Sequence, residues 1–491
     1  MDQQTQTIII GAGPAGLTAG YLLSKQNHRS MVIEMSDSVG GISRTPHYKN
    51  FYFDIGGHRF FSKSDVIEKL WDEMLPQDFL QRPRTSRIYY NKKFYSYPLK
   101  PFQALRQLGV IESMACLWSY IKAKLKPRKN RSFADWTINH FGERLYLHFF
   151  KTYTEKIWGM PCDKISADWA AQRIQGLSLI GAIKNAFIPK FILKRKKSAI
   201  KTLINSFRYP RRGPGQLWES CAALYEKQGG VLLKNTEVLR CDYLKSDKKW
   251  KVTLQKRDGT CTLAYCDHLI SSMPIKTLVT QCLSPKPDDA CLKAASQLRY
   301  RDFLIVVLIL KEKNTLTDNW IYIHDRDVDV GRIQNFKSWS PDMVPDPQYC
   351  SYGMEYFCNE GDALWNLTND QLIEKAKNEI VKIGLAQLDD IEDGCVVRQK
   401  KAYPTYDHDY QAHLNIIQQS LHKHYPNLHL VGRNGLHKYN NQDHSMMTAL
   451  LTVENILANK QLHNVWLVNQ DDEYHEITTR HTPHFIRAKN E

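Results

Sequence analysis

Long apolar runs are missing from this 491-residue chain. The longest strongly apolar stretch, Phe303 to Leu310, is far short of the roughly 20 residues that cross a bilayer, and it reads as a buried strand. Among eleven cysteines there is no CxxC pair. Cys261 and Cys266 straddle a strand without a second pair, and His422, His424 and His429 near Pro426 lack the spacing and companions of a zinc site. No metal is therefore expected, and those histidines are placed in a solvated loop. Neither a GxSxG elbow nor a P-loop occurs, so nothing marks a side-chain nucleophile or a mononucleotide cradle. No zinc finger, basic zipper or RNP-type strand accompanies the basic residues, which argues against nucleic acid as a partner. The chain starts directly on a fold element rather than on a charged, apolar leader, and with its unpaired cysteines this reads as a reducing cytoplasm. No internal repeat or low-complexity linker is present.

What is present is globular: 42% hydrophobic and 24% charged residues, enough for two or three domains. The formal net charge of +16 favours anionic partners, either phosphorylated small molecules or an anionic membrane surface.

Thr7 to Ile10 is a short β-branched run, Leu17 to Leu23 has helical character, and between them lies Gly11-Ala12-Gly13-Pro14-Ala15-Gly16. GxGxxG alone is a weak signal. Here it follows a strand, opens a helix, and is followed by a second strand, Met31 to Ile33, that ends at Glu34, where a carboxylate can accept ribose hydroxyls. Phosphates favour such a helix N-terminus because free amides and the helix dipole both attract anions. Arg44, after Gly40 and Gly41, reads either as a cation for the pyrophosphate or as a solvated surface arginine. Gly56 and Gly57, in FDIGGHRFF, permit a tight turn or a close approach to a ligand.

The pattern along the chain predicts an α/β fold: a Rossmann-like dinucleotide-binding domain, parallel sheet plus β-meander, with a helical insertion and a second, mixed-sheet substrate domain. The discontinuous dinucleotide-binding domain, which the resemblance given below makes an FAD-binding one, is assigned to 1–90, 210–290 and 425–465, and the helical insertion to 91–209. The strand-rich substrate domain takes 291–424, and a C-terminal tail 466–491. Alternation between Gly230 and Pro274, with Asp258-Gly259 as a hairpin turn, marks the meander. Helices are expected over Asn369–Ile383 and His444–Asn459, with a strand over Leu428–Val431.

Several segments then occur in a telling order: GGHRFF at Gly56–Phe61, FADWTINHFG at Phe133–Gly142, EKIWGMP at Glu155–Pro161, FRYPRRGPG at Phe207–Gly215, and GRNGLHKYNNQDHSMMTA at Gly432–Ala449. In these the chain resembles UDP-galactopyranose mutases, most closely the eukaryotic type. Over nearly its whole length it resembles the wider amine oxidase and protoporphyrinogen oxidase superfamily, in which a second glycine pair marks FAD. The resemblance implies FAD seated by Gly11, Gly13, Ala15, Gly16, Glu34, Gly40, Gly41, Arg44, Gly56, Gly57, Gly432, Arg433, Asp443 and Ser445. It places His58 beside the flavin ring. Arg173 in WAAQR and Arg332 in VGRIQNFKSWS match a pair of diphosphate-binding arginines, a role suited to bidentate guanidiniums. Tyr403, Tyr439, Asn441 and Gln442 are implied around flavin and sugar phosphate, with Trp339 and Tyr97 toward the substrate. Asn441 and Asp443 suit a helix N-cap, whose dipole would stabilise a reduced flavin anion.

The chain also departs from that family. The spacing from Tyr439 to Asn441 is two residues shorter. Tyr97-Pro98 is followed by Leu99 and Lys100 instead of an aromatic and a glutamine, so a uridine-stacking ring is lost, while Lys100 adds a phosphate contact or a solvated charge. Leu177 to Leu203 mixes bulky apolar residues with seven lysines and arginines and no acid, and Cys116 to Arg131 is similar. Such segments suit an interface with an anionic membrane, or else amphipathic helices with basic faces in water, Pro189 breaking the longer one.

The reaction implied is mutase chemistry on a nucleotide- or polyprenyl-linked sugar: reduced flavin N5 attacks the anomeric carbon, displaces the phosphate, and holds the sugar while its ring opens and recloses. NAD(P)H is the electron donor considered. The rival readings are an oxidoreductase dehydrogenating a sugar, lipid or amine, and a membrane-associated flavin-bearing protein without turnover. The expected location is cytoplasmic, with the inner membrane face as the alternative.

Overall fold

The computed structural model describes residues 3–97, 101–167, 169, 205–313 and 316–469. Lys100, Arg173, the basic apolar segment 177–203 and residues 470–491 lie outside the described residues.

A five-stranded, all-parallel sheet is built in the order Val231–Leu233, Ser30–Ile33, Thr7–Ile10, His268–Ser271, Leu428–Leu430. Its strands are short and β-branched, and every residue of Thr7–Ile10 and Ser30–Ile33 is buried because both faces are covered. The period of two sorts the side chains. Ile8, Ile10, Met31 and Ile33 enter one core beneath the meander, while Ile9, Val32 and Ile270 enter another with residues of the helices Pro14–Lys25, Gly215–Lys227 and Gln442–Leu457. Thr236–Leu244, Lys249–Lys256 and Cys261–Cys266 form the antiparallel meander, the last two joined across Asp258 and Gly259.

A seven-stranded mixed sheet runs in the order Ile391–Pro404, Tyr300–Lys311, Tyr349–Cys358, Arg332–Asn335, Trp320–Ile323, Ser86–Tyr90, Lys93–Ser96. All its pairs are antiparallel except Trp320–Ile323 with Ser86–Tyr90. Along Tyr300–Lys311, Leu304, Val306, Leu308 and Leu310 pack with Leu372, Ala376 and Ile380 of the helix Asn369–Ile383. That helix is bounded by a Thr368–Gln371 capping box and by Gly384 at φ +81°. Phe303, Ile305 and Val307 point the other way, into a core shared with Phe53, Ile55, Trp158, Trp339 and Tyr403. The opposite face of the sheet is thus closed by a helix, and this one looks toward the glycine-rich segments.

The helix Val110–Leu125 and the helices Phe133–Phe141 and Thr152–Trp158 confirm helical character in the region that follows the last two strands of that sheet. The histidines near Pro426 correct their sequence reading. His422 and His424 end the helix Tyr410–His424, whose Leu414, Ile417 and Leu421 face the core, and His429 lies on the strand Leu428–Leu430 with its Nε2 3.2 Å from His268 Nδ1. All eleven cysteines are free. Among the described residues no helix is long and apolar enough to cross a membrane.

Candidate active site

Three adjacent strands of the parallel sheet, Thr7–Ile10 and its neighbours Ser30–Ile33 and His268–Ser271, end side by side at the carboxyl edge, the edge where open α/β sheets bind ligands. Gly11, at φ +95°, leaves the first strand, and its N–H donates to Ile33 carbonyl oxygen at 2.8 Å. A Cβ on Gly16 would lie 1.8 Å from Gly11 carbonyl oxygen, so only glycine lets the helix start this close to the strand. Gly13 caps that helix with no side-chain bond, and no acid stands in its first turn. The positive helix end is therefore left for a ligand anion. Glu34 stands at the turn: its Oε2 accepts from Ala12 N–H at 2.8 Å and its Oε1 from Ser36. Gly40 N–H donates to Ala12 carbonyl oxygen at 2.8 Å, which brings the second glycine pair onto the first turn. Arg44 is not a solvated surface residue. Its Nη1 donates to Gly41 carbonyl oxygen (2.8 Å) and Gln399 Oε1 (2.9 Å), tying the turn to the mixed sheet, and burial pulls its pKa down.

Gly432 and Gly435, just after the edge strand Leu428–Leu430, complete the contact. A Cβ on Gly432 would lie 3.0 Å from Ala15 Cβ, and one on Gly435 2.6 Å from Ser271 carbonyl oxygen. Asn441 is the N-cap of the helix Gln442–Leu457, with Gln442, Asp443 and Ser445 buried in its first turn. Gln442 Oε1 accepts from Trp218 Nε1 at 3.0 Å.

Gly56 is where the remaining candidates meet. A Cβ there would lie 3.5 Å from Tyr403 Oη, 3.8 Å from Arg332 Nη2 and 3.8 Å from His58 Cε1. Residues separated by hundreds of positions are thus drawn to one point by the mixed sheet. Arg332 and Glu355 face each other in register on adjacent strands, and Arg332 Nε donates to Glu355 Oε2 at 2.6 Å. Burial is the largest influence and opposes the guanidinium charge, but Glu355 together with Tyr403, Tyr153 and Tyr322 outweighs it, and Arg332 stays protonated. His58 shows the opposite balance: burial, then the charges of Arg433 and Arg332, push it down to about 3, so its imidazole is neutral. Burial also pushes the carboxyl of Asp54 up; its Oδ2 accepts from Tyr209 Oη at 2.7 Å behind the glycine pair.

Tyr403 and Tyr439 stack nearly parallel, with centroids 5.5 Å apart and planes at 10°. Arg433 Cζ lies 5.3 and 4.9 Å from the two rings and is fixed by Asn440 and Ala402 carbonyls. Trp158 and Trp169 close the box edge-on and tilted. Next to it, a cavity of about 40 Å³ is lined by Gly57, Arg59, Trp320, Tyr322, Arg332, Gln334 and Trp339. Trp339 is a buried wall whose Nε1 donates to Asn319 carbonyl oxygen, and Tyr97 meets Tyr322 edge-on at 5.0 Å. Arg59 and Arg84 place their guanidiniums 5.1 and 5.8 Å from the Trp320 ring.

Glu355, Arg59, Arg84, Trp158, Trp169 and Trp320 were absent from the sequence candidates. Arg59, Trp158 and Trp169 had a local signal, standing in GGHRFF, EKIWGMP and WAAQR, but Glu355 and Trp320 are joined to the site only by strand pairing, and Arg84 stands just before the strand Ser86–Tyr90 that pairs with Trp320–Ile323. Elsewhere Glu112, Cys116 and His148 bring one donor atom each within 4.8 Å of one another. His148 hydrogen-bonds Glu112 at 2.8 Å, and burial holds the Cys116 thiol up at about 11, so protein contacts account for that cluster.

A family model described as flavin containing amine oxidoreductase matches residues 14–440, which take in the helix that follows the turn, the Gly56 cluster and both stacked tyrosines. The chain belongs to this family. It is a flavoenzyme, and its cofactor is FAD. An L-amino-acid oxidase from Crotalus adamanteus is 32% identical over 111 residues, 20% of this chain and 21% of that protein. The chain thus matches about a fifth of the length of such curated relatives. A Klebsiella pneumoniae protein named "Probable UDP-galactopyranose mutase" is 24% identical over 172 residues, 33% of this chain and 42% of that protein. In fold, a crystal structure of reduced UDP-galactopyranose mutase superposes with TM-score 0.80 at 22% identity, covering 95% of this chain and 96% of its own. A redesigned putrescine oxidase superposes at 0.63 and 14% identity, covering 94% and 100%.

The residues present fit FAD. The uncapped helix end and the glycine cradle suit a diphosphate, and His58 Nδ1, Gln334 Oε1 and Gln442 Nε2 are sealed from solvent without a hydrogen-bond partner among the described residues. Buried polar atoms left so cost about 1–3 kcal/mol each unless a ligand meets them. Chemically, the site combines a fixed cation, a neutral imidazole, two phenols and a wall of aromatic rings.

Proposed function

We propose that this flavoenzyme acts on a sugar activated by a phosphate or diphosphate, and that its reaction is a pyranose–furanose isomerisation of the UDP-galactopyranose mutase kind. The observation that carries the reading is Arg332: a half-buried, permanently charged guanidinium, oriented by Glu355, beside a neutral His58 and the Tyr403 hydroxyl. When bound, reduced flavin supplies the nucleophile at the anomeric carbon, which agrees with the lack of a nucleophile motif in the chain. Arg332 stabilises the charge that grows on the departing phosphate, in a dry site where such stabilisation is strong. The resemblance assigns Arg173 as a second clamp. His58, Tyr403, Tyr439, Asn441 and Gln442 orient cofactor and sugar, and the stacked tyrosines offer a flat face to a sugar ring.

Oxidation of an amine fits less well. Arg433 already lies over both tyrosine rings, and with Arg332 it makes the surroundings hostile to a second cation. Dehydrogenation of a sugar is the second reading, favoured by the Leu99-Lys100 departure after Tyr97-Pro98. The test is to incubate oxidised and reduced holoenzyme with a panel of nucleotide- and polyprenyl-linked sugars, with NAD(P)H or dithionite as reductant, and follow product mass and flavin spectrum. An isomer of unchanged mass formed only by the reduced enzyme is expected. Loss of two hydrogens with flavin reduction replaces the mutase reading by the dehydrogenase one.

A further inference from the structure

The helix Val110–Leu125 carries large apolar side chains on its outside. Val110, Ile111, Met114, Trp118 and Leu125 are 81, 87, 64, 70 and 81% exposed, and Leu117 and Ile121 continue the row. Apolar residues scattered singly over a surface need no explanation, but seven on one helix do. At 100° per residue they fall within an arc of about 120°. Cys116, Tyr120 and Ala123, the buried positions, lie on the opposite side, where the helix packs on Phe133–Phe141. The exposed stripe is therefore not the misread inner face of an ordinary amphipathic helix. It is a second apolar face.

Its borders are basic. Lys122 and Lys124 flank the stripe, and Lys126, Lys129 and Arg131 follow in the next turn of chain, all exposed. The helix has a single acid, Glu112, which turns inward to Arg144 and His148 rather than toward the stripe. A protein partner with an apolar groove would have no need of this one-signed rim. Lipid headgroups of negative charge match it, and the apolar row with a tryptophan suits the boundary between headgroups and acyl chains.

We propose that the outer face of the helix Val110–Leu125 docks this enzyme on an anionic membrane surface, with Trp118 and its apolar neighbours inserted and the lysines at the headgroups. The contact does not depend on which sugar or reaction the active site handles. It is tested by flotation of the full-length, FAD-loaded protein with vesicles of phosphatidylcholine alone or of phosphatidylcholine with phosphatidylglycerol, at low and high salt. The parent should bind the anionic vesicles at least about tenfold better than the neutral ones, and lose most of that at high salt. Ile111→Ser with Trp118→Ser should weaken binding at least about tenfold while keeping flavin content and thermal midpoint, since both side chains are in solvent. Brominated lipid should quench part of the parent's tryptophan fluorescence, and Trp118→Phe, which keeps the apolar face, should remove that part. Equal binding of the parent and the double variant, or no binding to anionic vesicles, overturns the proposal. So does a parent dimer that the double variant dissolves without any difference in vesicle binding, because the stripe would then be a contact between two copies.

Discussion

Arg332 and Glu355 form an ion pair, Nε to Oε2 at 2.6 Å, between residues directly opposed on neighbouring strands. Glu355 has no solvent exposure, and its other oxygen accepts from Gln334 Nε2. One edge of the guanidinium is thereby spent on the fold while Nη2 faces Gly56.

Arg332→Lys and Arg332→Ala should therefore fail differently. Lysine keeps the charge for Glu355, but a single ammonium cannot bond the carboxylate and also present a fork to a phosphate. We expect kcat/KM to fall at least about 100-fold with FAD content kept and little change in thermal midpoint. Alanine leaves Glu355 buried without its partner, at a cost of about 3–5 kcal/mol, visible as a lowered midpoint before any kinetics are measured. Near-parent turnover in Arg332→Lys would remove the guanidinium from the chemistry.

The glycines of the first turn separate folding from cofactor seating. A Cβ on Gly16 collides with a backbone oxygen at 1.8 Å, whereas one on Gly13 meets only Gly41 Cα at 3.8 Å, an ordinary contact. Gly16→Ala should then give misfolded or insoluble chain. Gly13→Ala should fold, with stability within about 1 kcal/mol of the parent, but lose most of its flavin, because the methyl group would stand where the pyrophosphate approaches the backbone. Measured flavin absorbance per chain and circular dichroism decide it. Full occupancy in Gly13→Ala would move the pyrophosphate off this turn.

How much of this was legible follows from the range of the interactions. The strand, turn and helix around Gly11 to Gly16 could be read because three glycines and a β-branched run act within a dozen residues. The helix Asn369–Ile383 matches its expected limits because Thr368 and Gly384 write its ends locally. The final helix starts at Gln442 rather than His444, since Asn441 takes the capping position. The long-range pairings left no local trace. Trp320–Ile323 lies parallel to Ser86–Tyr90 from more than 200 positions away, and that pairing puts Trp320, Arg84 and Tyr97 in one neighbourhood. Glu355 reads in sequence as one more alternating residue of a strand. Only its register with Arg332 gives it a task.

Buried histidines set the acid limit of the fold. Burial, helped at His58 by Arg433 and Arg332 and at His324 by Lys156, lowers His58 and His324 to about 3, and His437 is lowered to about 4. In the unfolded chain each returns to about 6.5. Above that value all are neutral in both states and stability is unaffected. As pH falls below it, the unfolded chain takes up protons that the folded chain refuses, so each histidine removes about 1.4 kcal/mol per pH unit until its folded value is reached. His324→Phe keeps the stack on Tyr153 (4.5 Å, 13°) and deletes one titration. Denaturant melts at a series of pH values should show a slope shallower by about one proton in this variant. Identical slopes would mean that His324 is charged in the folded chain.

The cavity beside Gly57 makes a last claim testable. Arg59 and Arg84 share the Trp320 ring, and Arg332 lines the same space. If the phosphate of the substrate extends from Arg332 into this cavity, Arg59 contributes binding that is equal in ground and transition states. Arg59→Gln should then raise KM about tenfold with kcat nearly constant, in contrast to the fall in kcat/KM predicted for Arg332→Lys. Inorganic diphosphate, as a competitive inhibitor, should weaken by a similar factor, and the dependence of its inhibition constant on salt should flatten because one cation has been removed. FAD content serves as the control for misfolding. An unchanged KM with an unchanged inhibition constant would place the anion away from Arg59 and leave the Trp320 wall with a packing role alone.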